Sequence, residues 1–233
     1  MAKYWHNLPI HIYILSVFFM LVPSILLYGG AQFISEPWIL ILVIHWIVMI
    51  AIPYLLVEIF KIYSHGSFNY FYSGLGGRGD MTGIIMALIF CLVTVGLYWV
   101  LCVPLGYDMK SIVQMLPFPD DTLLQVLAIA YFIIVKPHVE EWFWRVYNYE
   151  IFGVYEFDFW LVCFCWALTY TVIAINIGAS ILWALIICLL FMALGRFLVW
   201  MRWQHGHFAN YVTHMGICAG VVVCYFLADS GKW

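Results

Sequence analysis

Glu140 and Glu141 stand side by side, with Arg145 four residues after the second, in the otherwise apolar stretch Pro137-His138-Val139-Glu140-Glu141-Trp142-Phe143-Trp144-Arg145. These residue types allow two kinds of chemistry. One carboxylate can act as a general base toward a water molecule while the other, paired with the arginine, fixes the helix that carries both. Alternatively, all three groups form a structural ion pair that locks this segment to its neighbours. On a helix Glu141 and Arg145 fall close to one face line and can pair directly, whereas Glu140 is turned about 100° from Glu141 and faces a different neighbour. Lys136, one turn before Glu140, is within reach of it. A charged side chain at bilayer depth costs roughly 2.5 kcal/mol or more, so this set needs partners, a wet cavity or a function.

A second polar set lies near the end of the chain. His207, Asn210, Tyr211, His214 and Cys218 follow one another at spacings of three and four and therefore share one helical face. A single histidine in such a helix is a hydrogen-bonded core residue by default; a stripe of five polar or sulfur side chains is a second candidate surface.

The elements that position these residues are membrane spans. Of 233 residues, 67% are hydrophobic and 9% charged, and the mean hydropathy is +1.02, values that no soluble globular domain has. Apolar runs long enough to cross a bilayer can be laid out seven times: Ile10 to Tyr28, Trp38 to Phe60, Met81 to Leu105, Leu123 to Ile151, Phe159 to Ile177, Ile181 to Met201 and Phe208 to Leu227. The expected fold is an all-α polytopic transmembrane helix bundle forming one integral membrane domain over 1–233, with three spans in 1–121 and the charged cluster and polar stripe in 122–228. No leader is removed in this reading, so the first helix stays.

The connections support that layout. Tyr28-Gly29-Gly30 ends the first span, the glycine-rich Ser73 to Asp80 stretch precedes the third, and Pro117-Phe118-Pro119 followed by Asp120 and Asp121 gives a break and then an acidic helix start. Pro137 inside the fourth span removes a backbone hydrogen bond and predicts a kink beside Glu140. Lys3, Lys61, Arg78 and Arg202 fall on the side of the N-terminus, against Lys110 and Lys232 on the other, which places the N-terminus in the cytoplasm.

Composition also excludes functions. Lys and Arg number nine and are scattered singly, and the net charge is −3, so there is neither a nucleic-acid footprint nor a polybasic lipid-binding patch. The seven cysteines fit no zinc spacing and read as reduced packing residues. A metal would need about three converging ligands, which Glu140, Glu141 and His214 could supply only from two helices. His45 and His214 could serve as haem ligands, but both have a core reading and no attachment motif accompanies them. No cofactor or metal is expected. Only one broken helix is visible and there is no repeat, which argues against a transporter. The expected partners are the bilayer, other membrane proteins and a lipidated peptide; the aromatic load suits packing against membrane proteins, and lipid-interface belts explain many of these residues equally well.

The Glu140-Glu141-x-x-x-Arg145 segment, with its preceding proline, resembles the first motif of the CAAX prenyl protease and bacteriocin-processing (Abi) family of membrane proteins, and the resemblance runs from about Leu123 to Leu227. It implies a CAAX protease-like fold in which Glu140 activates a water for attack on a peptide carbonyl, Glu141 and Arg145 fix its helix, and His214 matches the histidine of the last motif. Two positions depart from the pattern. Tyr170, in Trp166-Ala167-Leu168-Thr169-Tyr170, stands where a second histidine is expected, and Cys218 replaces the asparagine that follows His214. A phenol does not accept a proton near neutral pH as imidazole does, and a thiol is a poor oxyanion donor. Losing one such donor costs about a hundredfold in rate. Asn210 offers an amide at the wrong height, about 6 Å before His214 along the helix rather than after it. The resemblance therefore implies a non-catalytic binding or scaffold subunit of a membrane assembly, with an active glutamate-dependent endopeptidase on prenylated or membrane-embedded peptides as the alternative.

Overall fold

A computed structural model of the protein describes residues 10–30, 37–60, 78–102, 121–148, 156–176 and 178–229. Every element in these residues is helical. We number them α1 (Ile10–Gly30), α2 (37–60), α3 (78–102), α4 (Thr122–Tyr147), α5 (Glu156–Asn176), α6 (Ile181–His205) and α7 (His207–Asp229). Among the described residues six helices are long and apolar enough to cross a membrane, and they coincide with the second to seventh expected spans. The first expected span is also a helix, α1, whose apolar section Val17–Gly30 is shorter. The chain is an all-α, multi-pass integral membrane protein, and large exposed apolar side chains such as Leu88, Leu92, Val100, Leu185 and Leu189 give it a lipid-facing surface.

The helix ends follow local chemistry. Asp121 caps α4, its side chain accepting from the Leu124 backbone N–H at 3.0 Å, as the expected acidic start requires. The Ser73 to Gly77 part of the glycine-rich connection, the Pro117 to Asp120 break and the expected continuation of α4 to Ile151 lie outside the described residues. Between α5 and α6, Gly178 has a φ of 88°. The bonds from Gly178 N–H to Ile175 C=O and from Ala179 N–H to Ala174 C=O close the end of α5 around that left-handed glycine. Gly206, with a φ of 91°, makes the corresponding turn between α6 and α7.

Among the described residues α2, α3 and α4 contain widened π turns, and in α2 and α4 a proline comes just after one. In α2 the π section Val43–Ala51 precedes Pro53, and in α4 the π section Tyr131–Val135 precedes Pro137. A proline cannot donate to the carbonyl one turn back, and its ring pushes against that carbonyl. A turn closed five residues apart, as Lys136 N–H to Tyr131 C=O is, gives the ring room while the chain stays helical. A further π section, Trp142–Tyr147, follows the charged pair.

By packing, the chain falls into two compact units, Met1–Ser64 with Glu140–Phe197, and His65–Val139 with Leu198–Trp233. In the first, α1 packs on α5: Ser24 Oγ is 3.3 Å from Thr169 Oγ1, and Asn176 Nδ2 donates to Leu27 C=O at 3.2 Å. α6 packs on α5 where Gly195 has no side chain, its Cβ position lying 3.0 Å from the Trp166 ring and 3.3 Å from Cys163. In the second unit α3 and α7 run parallel in close contact. Gly83 meets Ala209, Gly216 meets Ala87, and Gly220 meets Thr94 and the Cys91 carbonyl. Tyr98, Cys224 and Ala228 close that contact at its far end.

Candidate functional site

The first unit gathers the acid pair. Glu140 and Glu141, at the C-terminal end of the α-helical section Lys136–Glu141, are buried, and so is every residue from 142 to 148. The packing of α5 against this segment decides their neighbours. Tyr170 Oη donates to Glu140 Oε2 at 2.7 Å, and Trp166 Nε1 donates to the same oxygen at 3.3 Å. From α2, His45 Nε2 lies 3.8 Å from Glu140 Oε1, with both side chains about 5% exposed or less. Glu140 thus has a phenol and an indole on one oxygen and an imidazole beside the other.

Glu141 points elsewhere, as the 100° step between consecutive helical residues requires. Its Oε1 lies 3.3 Å from Arg145 Nη1, the direct pairing expected from their spacing. The guanidinium lies 4.0 Å above the Trp166 ring. One indole therefore carries both halves of the cluster, donating from its edge to Glu140 and offering its face to the arginine. Tyr170 is held in turn by Phe191 of α6, stacked at 4.2 Å and 16°. Phe143 packs against Phe19 of α1 at 6.0 Å, and Asn148 Nδ2 donates to Phe143 C=O at 2.9 Å, bracing the helix after the acids.

The remaining candidates belong to the second unit. Asn210, His214 and Cys218 are buried on α7, while His207 and Tyr211 are half-buried. Thr213, on the same helix, is also buried and returns its hydroxyl to Ala209 C=O at 2.7 Å. Tyr211 Oη donates to Ile134 C=O at 3.1 Å, and its ring meets His138 edge-on at 5.3 Å. Lys136 Nζ is 4.0 Å from Cys218 Sγ and 5.2 Å from the Phe132 ring. Cys163, Cys165, Cys188, Cys218 and Cys224 are buried free thiols and Cys91 is half-buried. Among the described residues no three His, Cys, Asp or Glu side chains converge as metal ligands.

Two members of the site, Trp166 and His45, were not given a role beside Glu140 by the sequence. Trp166 opens the stretch that ends in Tyr170, so its place one turn before a candidate was a usable signal for a residue facing the same neighbour. His45 is the sole histidine of an apolar span, a signal visible in the chain, yet nothing local ties it to Glu140. Compared with models of protein families, with curated proteins and with solved structures, the chain matches none. What the fold and the site define together is a multi-pass helical membrane protein with a buried acid, arginine and aromatic cluster.

Proposed function

We propose that this protein has CAAX protease-like motifs in which the acid has passed from catalysis to structure, and that it works as a non-catalytic binding or scaffold subunit of a membrane assembly. The observation that carries this reading is the double occupancy of Glu140 Oε2 by the Tyr170 hydroxyl and the Trp166 indole. A carboxylate oxygen has two lone-pair directions. With both committed to side chains, that oxygen cannot also accept the proton of an attacking water. Arg145 and Glu141 complete the structural role by tying the same helix to Trp166 of α5. Other membrane proteins are the partners this reading calls for.

A second reading, an endopeptidase on prenylated or membrane-embedded peptides, has one observation in its favour. His45 brings an imidazole to the other oxygen of Glu140, the residue type lost at Tyr170. The two readings separate in one assay: purified protein incubated with a farnesylated peptide and with a transmembrane peptide. The scaffold reading expects no cleavage above that of Glu140→Ala, and none gained in the Tyr170→His/Cys218→Asn double variant. It also expects a stoichiometric membrane partner to co-purify from native membranes in mild detergent. Cleavage that disappears in both Glu140→Ala and His45→Ala would establish the enzyme instead.

A further inference from the structure

We propose that the buried end of α4 is a hydration site, in which ordered water accepts hydrogen bonds from Trp144 Nε1 and Arg145 Nη2 and donates to Asn148 Oδ1. The inference holds whether Glu140 serves structure or catalysis.

Hydrogen-bonding capacity is the first argument. Trp144 and Asn148 are 0% exposed and Arg145 is 1% exposed. Trp144 Nε1, Arg145 Nη2 and Asn148 Oδ1 have no hydrogen-bond partner among the described residues. Buried polar atoms are satisfied almost without exception, because taking them out of water with nothing in its place is costly. An indole donor, a guanidinium donor and an amide acceptor in this condition, all between 144 and 148, point to a small polar guest.

Placement is the second argument. Trp144 lies in the π section and Asn148 caps it; side chains four residues apart lie side by side on a helix, and Arg145 follows Trp144 directly. The Asn148 amide is oriented by its Nδ2, which donates back to Phe143 C=O at 2.9 Å, so Oδ1 is the end left to accept. Arg145 is fixed by the Trp166 ring, 4.0 Å from its guanidinium carbon, and by Glu141 Oε1, 3.3 Å from Nη1. Those contacts engage its face and Nη1 and leave Nη2 to donate elsewhere. The guest must therefore accept from two donors, donate to an oxygen and fit where nothing larger than solvent enters. Because Glu141 already balances the arginine, the guest is neutral. Water meets each condition, since one molecule both donates and accepts and buried waters typically make about three hydrogen bonds. It completes the shell of a guanidinium that stays charged inside an apolar helix bundle.

The test is X-ray radiolytic labelling of the full-length protein in detergent, in which water yields hydroxyl radicals that oxidise the side chains beside it. Trp166 is the internal reference, being 1% exposed with its Nε1 already donating to Glu140. Trp144 should be oxidised several-fold faster than Trp166. A water-soluble radical scavenger should slow the oxidation of Trp203, which is 51% exposed, and leave that of Trp144 unchanged. Equal rates for Trp144 and Trp166 overturn the proposal, and so does suppression of Trp144 to the extent of Trp203, because the radicals would then have come from bulk solvent. Asn148→Leu should bring the Trp144 rate down to that of Trp166, and an unchanged rate overturns the site. If that variant does not fold, magnetisation transfer in wild type decides. A cross-peak between long-lived water and the Trp144 indole N–H supports the site, and its absence overturns it.

Discussion

The Tyr170 hydroxyl lies 2.7 Å from Glu140 Oε2, joining α5 to α4 within the first unit. The phenol thus reaches the acid from a neighbouring helix. Its ring is stacked on Phe191, so Tyr170→Phe deletes the hydroxyl while keeping the stack. Hydrogen bonds to charged groups contribute about 1.5–3 kcal/mol, and the variant should lose that much stability in a reversible unfolding assay in mixed micelles. Unchanged stability would show that the bond does not hold the two helices together.

Removing one partner of the Glu141 and Arg145 pair leaves the other charge buried. Arg145→Met should therefore destabilise the protein by about 3–5 kcal/mol, and Glu141→Leu by a comparable amount. Joining Arg145→Met to Glu141→Leu removes both charges and should recover much of the loss, because an apolar pair of similar volume needs no desolvation. A double-mutant cycle on the four proteins measures the coupling. Strictly additive losses would mean that the two side chains, 3.3 Å apart, do not stabilise one another.

Trp166 serves both acids' neighbourhoods, and Trp166→Phe separates its two contributions. The phenyl ring keeps a weaker face for Arg145 but has no N–H for Glu140. The variant should lose about 1–3 kcal/mol, chiefly from the lost donor. In Tyr170→Phe background the further loss should exceed the single-variant value, since Glu140 Oε2 would then have lost both donors named here. An equal loss in both backgrounds would mean that the two donors act independently.

Membrane-length apolar runs made the helices from α2 to α7 legible, because a bilayer demands about 20 apolar residues wherever the chain crosses. The Glu141 and Arg145 contact was legible for a similar reason: helical spacing alone brings the pair together. His45 beside Glu140 was not, because that contact depends on how α2 packs against α4, and a nearly uniform apolar helix carries little sign of which face turns inward. Pro137 was read as a kink, and the structure places a π section before it; propensity marks where a helix is perturbed but not which hydrogen-bond pattern absorbs the perturbation. The layout of two compact units had little signal in composition, since two of their boundaries, 139/140 and 197/198, fall inside the helices α4 and α6.

The parallel contact of α3 and α7 rests on residues without side chains, and it yields the most direct mutational test in the second unit. A Cβ on Gly216 would overlap the backbone of Ala87, and one on Gly83 would come within 2.7 Å of Ala209 Cα. Backbone cannot move aside as a flexible side chain can, so either methyl must push the helices apart and loosen contacts along their length. Overpacking of this kind costs typically about 1–3 kcal/mol, and Gly216→Ala should fall at or above the upper end because its clash is with main chain on a buried face. Gly96, on α3 itself, has nothing within 4 Å of its Cβ position, and Gly96→Ala should be neutral or slightly stabilising through helix propensity. Thermal unfolding of the three variants in one detergent checks the order; Gly216→Ala as stable as Gly96→Ala would mean that α3 and α7 do not approach at Gly216.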